Sequence, residues 1–62
     1  MTEKEAIEIL KNYIQNDGSL YNSGHYLSWD IPSNIICLDG DFESDELEAI
    51  VWWMRNKRKL ND

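Results

Sequence analysis

The residues best able to do chemistry crowd into one stretch, 39–59. Asp39, Asp41, Glu43, Asp45, Glu46 and Glu48 set six carboxylates within ten positions. The alternation D-x-D-x-E-x-D superficially follows a calcium loop. Such a loop needs Gly at its sixth position and Glu at its twelfth, and counting from Asp39 these are Ser44 and Ile50. The row therefore reads as a solvated turn followed by helix-start acids, with no metal expected. A second use of the same row is phosphate mimicry, in which carboxylates occupy the basic groove of a nucleic-acid-binding protein. Arg55, Lys57, Arg58 and Lys59 counter that charge locally. These cations suggest another possibility, Arg55, Lys57 and Arg58 holding the phosphates of a nucleotide-like ligand.

Other reactive side chains lack company. His25 is the only histidine, and neither Asp17 nor Asp30 is selected by spacing as the partner that general acid–base work requires. Cys37 lies in the apolar run IICL and reads as a small buried hydrophobe. The five serines have no nucleophile-elbow context, and the glycines at 18, 24 and 40 form no phosphate loop. No catalytic residues and no cofactor are expected, and the chain reads as a non-enzyme.

One strongly marked helix carries the acidic stretch. Asp39-Gly40 signals a turn, and Ser44 is the natural N-cap. Asp45 and Glu46 suit the positive end of the helix dipole, and the cations at 55–59 suit the other. Leu47, Ile50, Val51 and Met54 follow the i, i+3, i+4, i+7 rule and predict a core stripe. Trp53 falls at the edge of that stripe, while Trp52 falls nearly opposite, beside Ala49 and Asn56. One face cannot bury both tryptophans. Trp52 either lies flat on the surface or belongs to a second apolar face with Ala49 and Trp53 that meets another chain. Trp is enriched at interface hot spots.

Upstream, Thr2 and Glu5 match a capping box. Ala6, Ile7, Leu10, Tyr13 and Ile14 share a helical face, which predicts a first helix over 3–16, stopped at Asn16-Asp17-Gly18. Residues 18–24 are turn-rich, and their strand character is left open. In 25–31 the pattern alternates: Leu27, Trp29 and Ile31 share one face, Tyr26, Ser28 and Asp30 the other. Pro32-Ser33-Asn34 is a turn that Asn34 can close in the left-handed conformation. A hairpin of 26–31 with 35–39 follows. The expected fold is α+β, a single domain over 1–62 in the order α-β-β-α, with two helices packed on a hairpin.

Size and charge narrow the function. A chain of 62 residues buries only ~60% of its unfolded surface and is marginally stable alone. One cysteine allows no internal disulfide, so stability must come from packing or from a partner. A formal charge of −6 argues against direct binding to a nucleic-acid backbone or an anionic membrane. No apolar run is long enough to span a bilayer. The segment MTEKEAIEIL is charged and helical, unlike a signal peptide, so a cytoplasmic location is expected. The aromatics number seven, three Trp, three Tyr and one Phe. If the Tyr26 and Trp52 surfaces adjoin, they make an amphipathic aromatic patch suited to a protein partner or a stacked nucleobase.

The segment LDGDFESDELEAIVWWMRN resembles the carboxy-terminal part of small bacteriophage and prophage proteins, in which an L-D-G-x-F turn leads into an E-L-x-A-I helix. Leu38, Asp39, Gly40, Phe42, Glu46, Leu47, Ala49 and Ile50 carry the resemblance. It implies a phage-type accessory protein, in a host-cell cytoplasm, that blocks or sequesters a host or defence protein, sometimes as a homo-oligomer. It assigns no functional residue. The reading carried forward is a non-enzymatic, self-associating inhibitor of a host protein, with Ala49, Trp52, Trp53, Asn56 and Tyr26 as the association surface. The alternatives are an oligomeric sponge for a nucleotide-like ligand and a nucleic-acid mimic.

Overall fold

A computed structural model describes residues 1–58. The element order is α1 (Glu3–Leu10), β1 (Tyr21–Asn22), β2 (Tyr26–Asp30), β3 (Ile35–Asp39) and α2 (Ser44–Lys57). The three strands form one antiparallel sheet in the order β1-β2-β3. The fold is the small α+β domain expected, with a short third strand, β1, in the turn-rich segment 18–24. Lys59, grouped above with the cations ending the second helix, lies outside the described residues.

The first helix starts as the sequence requires. Thr2 N–H donates to Glu5 Oε1 at 2.8 Å and Glu5 N–H donates to Thr2 Oγ1 at 3.2 Å, completing the capping box. The Thr2 N–H, and after it the Thr2 hydroxyl, hold the Glu5 carboxyl below its ordinary range. The helix ends at Leu10, short of the predicted 16. Tertiary pairing takes over there. Ile14 bridges to Leu20, Tyr21 N–H donates to Tyr13 O at 2.9 Å, and Gln15 N–H donates to Ser19 O at 2.8 Å. Those backbone groups are thereby withdrawn from the helical ladder. Gly18, at φ +89°, turns this local loop instead of capping a longer helix.

The predicted hairpin forms, pairing β2 with β3. Leu27 opposes Leu38, Trp29 opposes Ile36, and Ser28 opposes Cys37. Asn34 sits at φ +58° and closes the turn, donating its N–H to Asp30 O at 2.8 Å. Its side-chain oxygen accepts from Trp29 Nε1 at 3.1 Å, so one residue satisfies both the turn and a core indole. Alternation corrects the reading of Cys37. The core side of β3 takes Ile36 and Leu38, leaving Cys37 exposed on the outer face with Ser28.

In α2 the N-cap is Glu43 in extended conformation, one residue before the expected Ser44. Glu46 reaches back to accept Glu43 N–H at 2.9 Å. Ser44 has Leu47 three residues on, which cannot reciprocate, so the acidic pair fixes the start.

The predicted face of the first helix is buried at Ala6, Leu10 and Tyr13 and departs only at Ile7, whereas α2 is rotated from its predicted stripe. The core is Ala6, Leu10, Tyr13, Leu20, Leu27, Trp29, Ala49, Ile50 and Trp53. Ile7, Leu47 and Val51 are 42%, 41% and 45% exposed. The reason lies in the alanines. The backbones of α1 and α2 approach within 8 Å, and Ala6 and Ala49, both fully buried, are small enough to permit it. A helix wedged between a sheet and a second helix buries a sector spanning both contacts. Bulky residues at helical spacing then mark the wrong side.

Candidate functional site

Ala49 and Trp53, named above as part of an association surface, are enclosed by the chain's own core. Trp53 is anchored further: its Nε1 donates to Gly18 O at 2.8 Å, and Lys57 Nζ lies 5.5 Å from its ring centroid. Tyr26 is 37% exposed, but it sits on the sheet face turned away from the helices, packed edge-on to Tyr21 at 6.5 Å. The core lies between Tyr26 and the outer side of α2, so the two aromatic surfaces do not adjoin. Trp52 and Asn56 do stay together. They line a shallow depression of about 480 Å³ with Met1, Leu47, Glu48, Val51 and Arg55.

This outer face of α2 has a definite chemistry. Met1, Leu47 and Val51 are each more than two-fifths exposed, and half-buried Trp52 leans on Trp53 at 6.3 Å between centroids. Glu48 and Arg55 stand beside this apolar strip as opposite charges. Trp52 is thus backed by the core on one side and open on the other, a rigid apolar anchor flanked by polar groups. Met1, Leu47 and Val51 were not named in the sequence-derived surface. Their signal was present, but the i, i+4 pair Leu47–Val51 is also the signature of a buried stripe.

The cations do not converge. Lys57 pairs with Glu3 at 2.9 Å and covers Trp53. Arg58 is committed to the hairpin turn, donating to Pro32 O at 3.0 Å and to Ile31 O at 3.3 Å. Arg55 faces the depression of Trp52. The proposed phosphate-holding trio is therefore spread over separate parts of the surface.

The acids also diverge. Asp39 ends β3, Glu43 caps α2, and Asp45 Oδ1 accepts Glu46 N–H at 2.9 Å. Among the described residues no group of three or more His, Cys, Asp or Glu is placed to hold a metal ion. Glu46 turns inward instead. Its Oε2 accepts from the Tyr13 hydroxyl at 3.3 Å, and that hydroxyl lies 3.3 Å from His25 Nδ1. With the single phenolic proton directed at Glu46, the second bond requires Nδ1 to be the protonated ring nitrogen. His25 stacks on Phe42 at 4.2 Å between centroids. A Cβ on Gly40, at φ +135°, would come within 2.9 Å of the His25 ring.

Tyr13, His25, Phe42 and Glu46 therefore form a clasp joining the end of α1, the β1–β2 turn and the start of α2. Burial raises the Tyr13 hydroxyl pKa above its ordinary 10.0, and the Glu46 charge and hydrogen bond reinforce this. The depressions on α2, beside Asn16–Gly18 and on α1 are lined by other residues. The clasp faces no substrate-sized space among them and reads as a structural tie. Nothing in the sequence brings Tyr13 to Glu46 across 33 positions; only Gly40 hints that a side chain must approach the loop closely.

No helix among the described residues is long and apolar enough to cross a membrane. Compared with protein-family models, curated proteins and solved structures, the chain matches none.

Proposed function

We propose that the protein is a non-enzymatic binding module that docks a host-cell protein through the outer face of α2 and thereby inhibits or sequesters it. The observation that carries this reading is the strip Met1–Leu47–Val51–Trp52. It leaves large apolar groups open on a domain too small to spare them, beside Glu48 and Arg55. Contiguous exposed apolar surface with a polar margin is the usual form of a protein-binding patch. Trp52, braced from behind, supplies the anchor that such patches rely on. The resemblance to phage-encoded proteins is what makes a host protein the class of partner.

The test is capture from a bacterial host lysate with tagged wild type, Val51→Asp and Trp52→Ala. The reading expects a discrete captured protein, lost with either variant while circular dichroism stays native. A protein captured equally by all three, or none from any phage-susceptible host, would overturn it.

A further inference from the structure

The far edge of the sheet makes a separate argument. β3 has β2 on one side, and among the described residues no backbone hydrogen bond reaches its other side. About half of its N–H and C=O groups therefore point outward, a template for a further strand. Edges of this kind are normally blunted by proline, lysine, a bulge or shortness. Ile35–Asp39 has no proline, lysine or bulge: its register with β2 runs one to one over five residues. The opposite edge is guarded, since β1 has only two residues and is flanked by the Ile14–Leu20 bridge. Ile35 is 62% exposed, and Leu38, on the core side, is still 38% exposed.

We propose that this edge pairs with the same edge of a second copy, antiparallel, about a two-fold axis through Cys37 and normal to the sheet. Such an axis keeps each face of the sheet on its own side, so residues pair within a face. All five residues then overlap. Cys37 meets Cys37 of the other copy, Ile36 meets Leu38 on the core side, and Ile35 meets Asp39.

Charge selects the second copy as occupant. One end of β3 adjoins the 31–34 turn, where the Arg58 guanidinium is held by the carbonyls of Ile31 and Pro32 and the Asp30 carboxylate, opposite Ile35, is occupied by Ser33. The other end carries Asp39 and Asp41. Antiparallel pairing lays the acidic end of each copy beside the Arg58 end of the other, and the two-fold axis makes the match twice. The result is a continuous six-stranded sheet that leaves the outer face of α2 free. It is independent of the partner-binding reading. A five-residue edge is short, so the pair belongs with weak associations burying under ~1,200 Å².

Oxidative cross-linking reads the register. Directly opposed residues of antiparallel strands have Cα atoms ~4.5–5.5 Å apart, within the ~4.4–6.8 Å that a disulfide spans. With oxidised glutathione as oxidant, two Cys37 thiols become one disulfide and the glutathione disulfide is reduced to two thiols. The control is Ser28→Cys in a Cys37→Ser background, on the same outer face but one strand inward. Its equivalents stand three strand spacings apart, ~14 Å.

Wild type is expected to cross-link at least tenfold faster than this control and to self-associate reversibly when reduced in sedimentation. Cys37→Lys, which puts a charge on the edge, should abolish association with native circular dichroism. Arg58→Glu should weaken it by roughly two- to thirty-fold, the loss of two exposed charge pairs. Two results would overturn the proposal. One is a wild type that remains monomeric up to about 1 mM, the weak end of specific association. The other is cross-linking of the Ser28→Cys control at the wild-type rate.

Discussion

Ile50 and Val51 are neighbours of similar chemistry, and helical spacing assigns both to one buried stripe. The structure separates them: Ile50 is 2% exposed and Val51 45%. Ile50→Ala removes a large part of a side chain buried in the core cluster, and buried Ile→Ala changes cost ~2–5 kcal/mol. A chain of 62 residues has a total stability of only ~3–9 kcal/mol at ~0.05–0.15 kcal/mol per residue. The variant should therefore lose from about a fifth to all of it. At ~4–8 °C per kcal/mol for so small a domain, Tm should fall by at least ~8 °C. Val51→Ala loses little packing and gains helix propensity, so its change should stay within ~0.5 kcal/mol of zero. Thermal and urea unfolding followed by far-ultraviolet circular dichroism measure both. Equal losses in the two variants would refute the orientation of α2 and every surface assignment built on it.

Three further outcomes follow from named contacts. Tyr13→Phe should cost ~0.5–1.5 kcal/mol, because Glu46 Oε2 loses the Tyr13 hydroxyl while Oε1 keeps the Glu43 N–H. It should also change the alkaline limb. Folding raises the Tyr13 pKa above 10.0, so the folded state holds that proton more tightly. The associated stability is complete below pH 10 and lost as pH rises through the folded value; the variant should lack that component in urea unfolding at pH 8–11. Asn34→Ala should destabilise by ~1–3 kcal/mol, since it strains φ +58° and removes the acceptor of Trp29 Nε1. Asn34→Gly relieves the strain and should cost less, an order that parallel denaturant titrations can check. Gly40→Ala places a Cβ 2.9 Å from the His25 ring at φ +135°. It should destabilise the domain and shift the His25 ring resonances in NMR spectra, whereas Gly24→Ala, whose Cβ would meet the Asn22 side chain at an ordinary 3.5 Å, should leave stability nearly unchanged.

The parts of this fold that were legible in the sequence are those decided locally. The Thr2–Glu5 box, the alternation of Leu27 and Trp29, and the left-handed Asn34 each depend on residues a few positions apart. What was illegible depends on contacts across the chain. The length of the first helix was set by the pairing of Tyr13 and Ile14 with Leu20 and Tyr21, which no helix signal contains. The facing of α2 was set by the close approach at Ala6 and Ala49. Weighted by bulk, alanine looks unimportant, yet where two helices must approach closely it marks the contact. Of the surface derived from periodicity, Trp52 and Asn56 stay on the outside of α2, whereas Ala49 and Trp53 are buried. The clasp of Tyr13, His25 and Glu46 joins segments remote in sequence and leaves no periodic trace.

The most direct measurement of the central claim compares the tryptophans. Brief oxidative labelling, with the modification at each indole quantified by peptide mass spectrometry, reports solvent access residue by residue. The account predicts that Trp52 is modified first, while Trp29 and Trp53, at 5% and 6% exposure, are labelled only as the chain unfolds. Labelling of Trp53 ahead of Trp52 would contradict it.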